Sequence, residues 1–201
     1  MKNLLVSILC LFYFNTSKAQ IGLCFDCYGS VETGMVYSNI GGLDNTEGKP
    51  GFYIGWYNYY WLSESLSLRY GSTYQTLGAQ TDNMQNDFVI HSFNFPLSLH
   101  YIYDNIFQIF GGAEVGTNIF GSLSEDEGFI NNHNFSDAIT LLDGSIFLGG
   151  GLLIADRIDI NFKYNFGITD IRTDQFKNTN ESTNPWTKNW LTLGIAYTWR
   201  D

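Results

Sequence analysis

From residue 29 onward, apolar and polar side chains alternate with a two-residue period, broken by short clusters of Gly, Asn and Asp. Residues 157–169 carry the pattern most clearly: Ile158, Ile160, Phe162, Tyr164, Phe166 and Ile168 take every second place, with Asp159, Asn161, Lys163, Asn165, Gly167 and Thr169 on the others. Successive side chains of a strand point to opposite faces, so such a segment has one apolar and one polar face. The pattern and its Gly/Asn/Asp punctuation predict eight strands, near 29–39, 51–62, 65–78, 88–103, 105–120, 138–154, 157–170 and 187–200.

The links between these segments alternate in length. Leu62-Ser63-Glu64, Tyr103-Asp104-Asn105 and Ala155-Asp156 predict tight hairpins, whereas 41–48, 80–87, 122–137 and 171–185 are longer and strongly polar. In an up-and-down barrel, odd and even connections emerge at opposite ends. Every long loop therefore falls on one rim, and every short turn and both chain ends fall on the other. Outer-membrane barrels show this asymmetry. Several strands exceed the roughly 9–11 residues that cross a bilayer at a tilt, which predicts a barrel projecting beyond the membrane on its loop side. The expected fold class is all-β: an eight-stranded antiparallel up-and-down transmembrane β-barrel.

The faces support that choice over a soluble one. The third segment sets Leu66, Leu68, Tyr70 and Tyr74 against Ser67, Arg69, Gly71, Thr73 and Gln75, and the last sets Leu191, Leu193, Ile195, Tyr197 and Trp199 against Trp190, Thr192, Gly194, Ala196 and Thr198. A soluble, lipocalin-like periplasmic binding barrel would turn the apolar face into a ligand cavity. Aromatics at segment ends argue for the membrane instead: Trp56, Tyr57, Tyr59, Tyr60 and Trp61, Tyr101 and Tyr103, and Tyr197 and Trp199 read as interfacial girdles.

With the polar face inward, the lumen would hold Glu32, Arg69, Glu114, Asp143 and Lys163. Buried charges in a narrow space must neutralise one another, so these five form an expected lumenal charge network in which Arg69 and Lys163 compensate Glu114 and Asp143. The same pairing argues against reading Glu114 and Asp143 as an acid/base pair. Eight strands enclose a space that side chains fill, which argues against a wide pore. Gly34, Gly71, Gly112, Gly116, Gly149, Gly151, Gly167 and Gly194 fall on the lumenal face and would relieve crowding.

The ends add a targeting expectation. Met1-Lys2-Asn3, an apolar run from Leu4 to Phe14, and Ser17-Lys18-Ala19 read as a secretory signal peptide over 1–19, followed by an N-terminal segment at 20–28 and the barrel domain at 29–201. Cys10 leaves with the signal. Cys24 and Cys27 remain, and they make either a small structural disulfide loop or idle thiols. The formal charge of −10 and the absence of basic runs exclude nucleic acid as a partner.

Candidate chemistry is sparse. His91, His100 and His133 are scattered, with His91 facing lipid or an interface, His100 the lumen near the short turns, and His133 a long loop. Glu125, Asp126 and Glu127 make an acidic stretch without the spacing of a dedicated cation site. No nucleophile elbow, phosphate loop or catalytic triad spacing stands out, so no catalytic residue, metal ligand or cofactor is expected.

The chain resembles the PorT-like family of small outer-membrane β-barrel domains over nearly its whole mature length. The resemblance rests on Thr33-Gly34-Met35-Val36-Tyr37-Ser38, Lys49-Pro50-Gly51-Phe52-Tyr53-Ile54-Gly55, Leu66-Ser67-Leu68-Arg69-Tyr70, Phe95-Pro96-Leu97, Phe110-Gly111-Gly112, the run from Lys163 to Asp170, and Leu193-Gly194-Ile195-Ala196-Tyr197. It implies a Gram-negative cell outer membrane, with membrane lipid and the barrel-assembly machinery as partners. That machinery often reads a terminal aromatic residue; here Trp199 is followed by Arg200-Asp201. The expected role is non-enzymatic, structural or surface-interacting through the long external loops. A component of protein secretion or of narrow-solute transport is the alternative.

Overall fold

In the computed structural model, residues 27–42, 46–81, 86–125, 139–155, 157–173 and 184–199 are described. The signal at 1–19, Cys24, His133, Asp126 and Glu127 lie outside them. Eight strands follow in order: β1 (Cys27–Gly41), β2 (Thr46–Trp61), β3 (Leu66–Thr81), β4 (Asn86–Tyr103), β5 (Phe107–Glu125), β6 (Leu142–Ala155), β7 (Ile158–Gly167) and β8 (Thr187–Trp199). Each pairs antiparallel with the next, and β1 pairs with β8 from Gly29↔Trp199 to Gly41↔Thr187, closing the barrel. Closure leaves no strand edge within the ring, which satisfies backbone groups in hydrocarbon.

The β4–β5 turn shows why the sequence breaks there. Asp104 and Asn105 both take positive φ, 54° and 55°, and the Ile106 amide donates to the Tyr103 carbonyl at 3.1 Å. Two successive left-handed residues make the mirror-image turn whose twist matches the strands, and Asp and Asn tolerate that conformation better than other side-chain residues.

Parity runs as the alternation predicts, with the apolar face outward. Met35, Ile109 and Leu148 are 65%, 63% and 67% exposed, while Ser30, Ser92 and Asn165 are fully buried inside. Wrapped around a cylinder, this apolar wall is far larger than the patches that water-soluble monomers expose. The soluble binding-barrel alternative is thereby corrected, because its apolar face would have to line the cavity.

Three expectations change in detail. First, the loop-side strand ends reach further than alternation indicated: β2 begins at Thr46, and β4 and β5 stay paired up to Asn86↔Glu125. Backbone ladder bonds do not need an apolar partner, so pairing continues through polar sequence. Second, Tyr57, Tyr59 and Trp61 are not girdle residues: Tyr57 and Tyr59 are buried in the lumen and Trp61 lines its short-turn mouth, while Trp56 and Tyr60 on the alternate parity face outward. Third, the sixth and seventh strands are shorter than expected. Ile139 makes only an isolated bridge to Arg172, and Ile171 turns inward.

Candidate functional site

The lumen is built from the inward face of all eight strands. At its centre lies Glu32 of β1. Arg69 Nη2 donates to Glu32 Oε2 at 2.5 Å, the Tyr53 hydroxyl donates to Oε1 at 2.6 Å, and Asn161 Nδ2 donates to Oε2 at 3.0 Å. The Arg69 guanidinium is also stacked 3.5 Å from the Tyr57 ring centroid, where the π face adds cation stabilisation. The Tyr59 ring centroid lies 5.3 Å from the same guanidinium, so both inward tyrosines face this cation.

The carboxylate orients a chain of amides. An ionised carboxylate only accepts, so Asn161 must present its NH₂ to Glu32, leaving Asn161 Oδ1 to accept from Gln108 Nε2 at 2.7 Å. Gln108 Oε1 then accepts from His100 Nδ1 at 3.1 Å, and His100 Nε2 accepts from the Ser98 hydroxyl at 2.9 Å. This neutral tautomer of His100 is stacked on Phe110, with ring centroids 4.5 Å apart. The imidazole is fully buried and fully bonded, which makes it part of the packing.

Two further ion pairs sit toward the loop rim. Glu114 accepts from Lys163 Nζ at 3.1 Å and from Asn94 Nδ2 at 2.5 Å. Asp143 accepts from Lys188 Nζ at 2.5 Å and from Asn118 Nδ2 at 2.8 Å. The structure thus brings Glu32 to Arg69 and Glu114 to Lys163. The expected compensation of Asp143 by Arg69 or Lys163 is corrected: its partner is Lys188. Lys188 shares parity with Trp190, Thr192 and Gly194, and that signal in β8 would have found it.

Little space remains between these groups. A gap of about 10 Å³ lies among Glu32, Tyr57, Arg69, Ser98 and Lys163, roughly the room for one water. Toward the loops the lumen turns apolar: Val36, Tyr53, Leu77 and Trp190 form one buried cluster, and Ile40, Ala79, Ile90, Ile139, Ile171 and Trp186 form another. The polar-lumen expectation is corrected here, because the loop stems fold over the barrel mouth and need an apolar seat.

Those stems are stitched together. The Thr140 amide donates to the Ile171 carbonyl at 2.7 Å, and the Ile171 amide to the Trp186 carbonyl at 2.9 Å. Asp170 Oδ1 accepts from the Trp186 amide at 3.1 Å, and its carboxylate holds Arg172 through Nε at 3.0 Å and Nη2 at 2.8 Å. The guanidinium donated by Arg172 holds the Asp170 carboxyl below its usual range, at about 2.

Above this seat the wall is uneven. β5 pairs with β6 only as far as Thr117↔Leu142, yet continues beside β4 through Glu125. The extra strand amounts to roughly 25 Å along its length at 3.3 Å per residue. Cys27 opens β1 at the opposite, short-turn rim.

No family model matches this chain, and no curated protein does. Among solved structures, Ail, the attachment invasion locus protein of Yersinia pestis, in complex with the heparin analogue sucrose octasulfate, is similar at 11% identity and a TM-score of 0.50, covering 87% of this chain and 99% of that one. A second crystal structure of Ail gives 10% identity, a TM-score of 0.50, and 86% and 98% coverage. Neisserial surface protein A aligns at 12% identity and a TM-score of 0.48, over 85% and 96%. The likeness to Ail shows the fold: a closed eight-stranded barrel of the outer-membrane kind.

Proposed function

We propose that this chain is a non-enzymatic outer-membrane β-barrel whose filled cylinder anchors a rigid external platform for surface interaction. The observation that carries the reading is the contrast between a lumen closed by three ion pairs and a loop rim whose stems are bonded into one unit beside the extended β4–β5 wall. A lumen that leaves only about 10 Å³ among Glu32, Tyr57, Arg69, Ser98 and Lys163 supports anchoring rather than passage. The apolar outward face supports membrane lipid as its surroundings. The motif order quoted above supports a PorT-like placement and, with it, handling by the barrel-assembly machinery.

The heparin-analogue binding named for Ail is not carried over. The loop stretches of this chain hold Asp44, Asp82, Asp87, Glu125, Asp126, Glu127 and Asp137, and a polysulfate would meet like charge there. Partners with basic or neutral surfaces fit better. The test removes 126–137 while the barrel is kept at matched surface level, and compares partners recovered after surface crosslinking of cells. Loss of recovered partners is expected, and it should be matched by their release at high salt. Unchanged recovery overturns the platform reading. Planar-bilayer recording of the intact protein should show no steady conductance, whereas discrete open levels would favour solute transport.

A further inference from the structure

The short-turn mouth of the barrel holds a recess of about 110 Å³, lined by Tyr28, Tyr59, Trp61, Gln108 and Asp159 among others. That is room for several waters or for one small ligand head. It lies beneath the ion-paired lumen, with which it shares Tyr59 and Gln108, and at the opposite end from the loop platform.

Asp159 is the odd charge of the interior. Four carboxylate residues are buried among the described residues: Glu32, Glu114, Asp143 and Asp159. The first three each lie on a cation, Arg69, Lys163 and Lys188 respectively. Asp159, nine-tenths buried, is in no such ion pair among the described residues and lines the recess. Arg69 feels its field but is already engaged by Glu32 at 2.5 Å. A carboxylate with no cation beside it that opens on a recess offers its charge to whatever enters that recess.

The recess also carries the second half of a cation site. Tyr28 and Trp61, which both line the recess, meet edge to face with ring centroids 6.2 Å apart and planes at 86°. Tyr59 adds a third ring, and Trp61 Nε1 is buried without a hydrogen-bond partner. Aromatic faces arranged around a carboxylate are the chemistry that recognises alkylated ammonium groups. A metal ion would instead require several oxygen donors converging on one point, and Asp159 stands alone.

We propose that this periplasm-facing recess binds an organic ammonium group, with Asp159 as counter-ion and Tyr28, Tyr59 and Trp61 as its aromatic walls. The source is a free amine, a lysine side chain or an ethanolamine headgroup, which share the chemistry. The test uses the protein purified in detergent micelles, with butylamine, ethanolamine and tetramethylammonium as separate probes and sodium chloride at matched ionic strength as the baseline, followed by ligand-observed saturation-transfer NMR.

At least one probe should bind saturably in the millimolar range. D159N should weaken it by about tenfold or more, and W61L by a smaller factor, while heat-modified gel migration shows both variants folded. Which probe binds names the source. Absence of saturable binding by all three, or unchanged binding in folded D159N, overturns the assignment. Should D159N fail to fold, W61L alone decides: an unchanged affinity in that variant overturns it as well.

Discussion

The two halves of the interior neutralise their contents differently. Toward the short turns, Glu32, Arg69, Asn161, Gln108 and His100 form one connected polar chain. Toward the loops, Ile40, Ala79, Ile90, Ile139, Ile171 and Trp186 form an apolar seat, above the Asp143–Lys188 pair, on which the stems rest. The lower half gains specificity through directional bonds, each of which orients the next. The upper half gains adhesion through contact area, which needs no particular partner. The difference teaches that a barrel too narrow to conduct still divides its interior between holding the cylinder and holding what sits above it.

The largest break should come from orphaning the central charge. Arg69→Met leaves Glu32 buried without its cation and should destabilise the barrel by about 3–5 kcal/mol, measured by urea unfolding in vesicles with tryptophan emission. Adding Glu32→Gln should recover most of that loss, because the penalty belongs to the unpaired charge. A double variant as unstable as the single one would mean that the pair acts through packing instead.

Next comes the apolar seat. Ile171→Ala should cost about 2–4 kcal/mol, yet its signature should be local. Amide exchange should rise at Thr140 and Ile171, whose bonds tie the stems, before it rises at Asn161 or Gln108. Uniform acceleration throughout the barrel would show that the two halves are one cooperative unit.

A smaller effect is expected where backbone proximity sets the packing. A Cβ on Gly194 would run into the Tyr53 hydroxyl, which donates to Glu32. Gly194→Ala should therefore displace Tyr53 and cost about 1–3 kcal/mol, and Tyr53→Phe in the same background should remove part of the penalty. Additive unfolding energies in that pair would disconnect the two sites.

The smallest effect concerns the rim. Asp170 has its folded pKa depressed to about 2 by Arg172, so its stabilisation is fully present above the ordinary carboxylate range near 4. It is lost as the pH falls through the folded value. Asp170→Asn should therefore destabilise the stems at neutral pH by no more than about 1 kcal/mol. The gap from the parent should close between about pH 4 and 2. A gap that persists at pH 2 would assign the effect to the amide bond from Trp186 rather than to charge.

Much of this was legible in the chain. Strand number, the opposed rims of short turns and long loops, and the inward parity of Glu32, Arg69, Glu114, Asp143 and Lys163 all follow from a two-residue period and from Gly, Asn and Asp punctuation. Lys188 lay on a readable parity but at the start of a strand, where polar loop sequence masks the alternation. Tyr57 and Tyr59 resemble girdle residues because Trp56 and Tyr60 beside them face outward. Only the guanidinium of Arg69, brought across from β3, shows why alternate aromatics turn inward.

The sequence alone determined which face each strand residue takes, because parity is a local property that every strand carries within itself. Which carboxylate meets which cation was decided by the stagger of neighbouring strands: Asp143 reaches Lys188 across the interior, and nothing in either strand encodes that distance. The apolar seat was decided later still. Ile139, Ile171 and Trp186 come from segments without periodicity, and they acquire a common environment only once the closed ring holds their stems over one mouth.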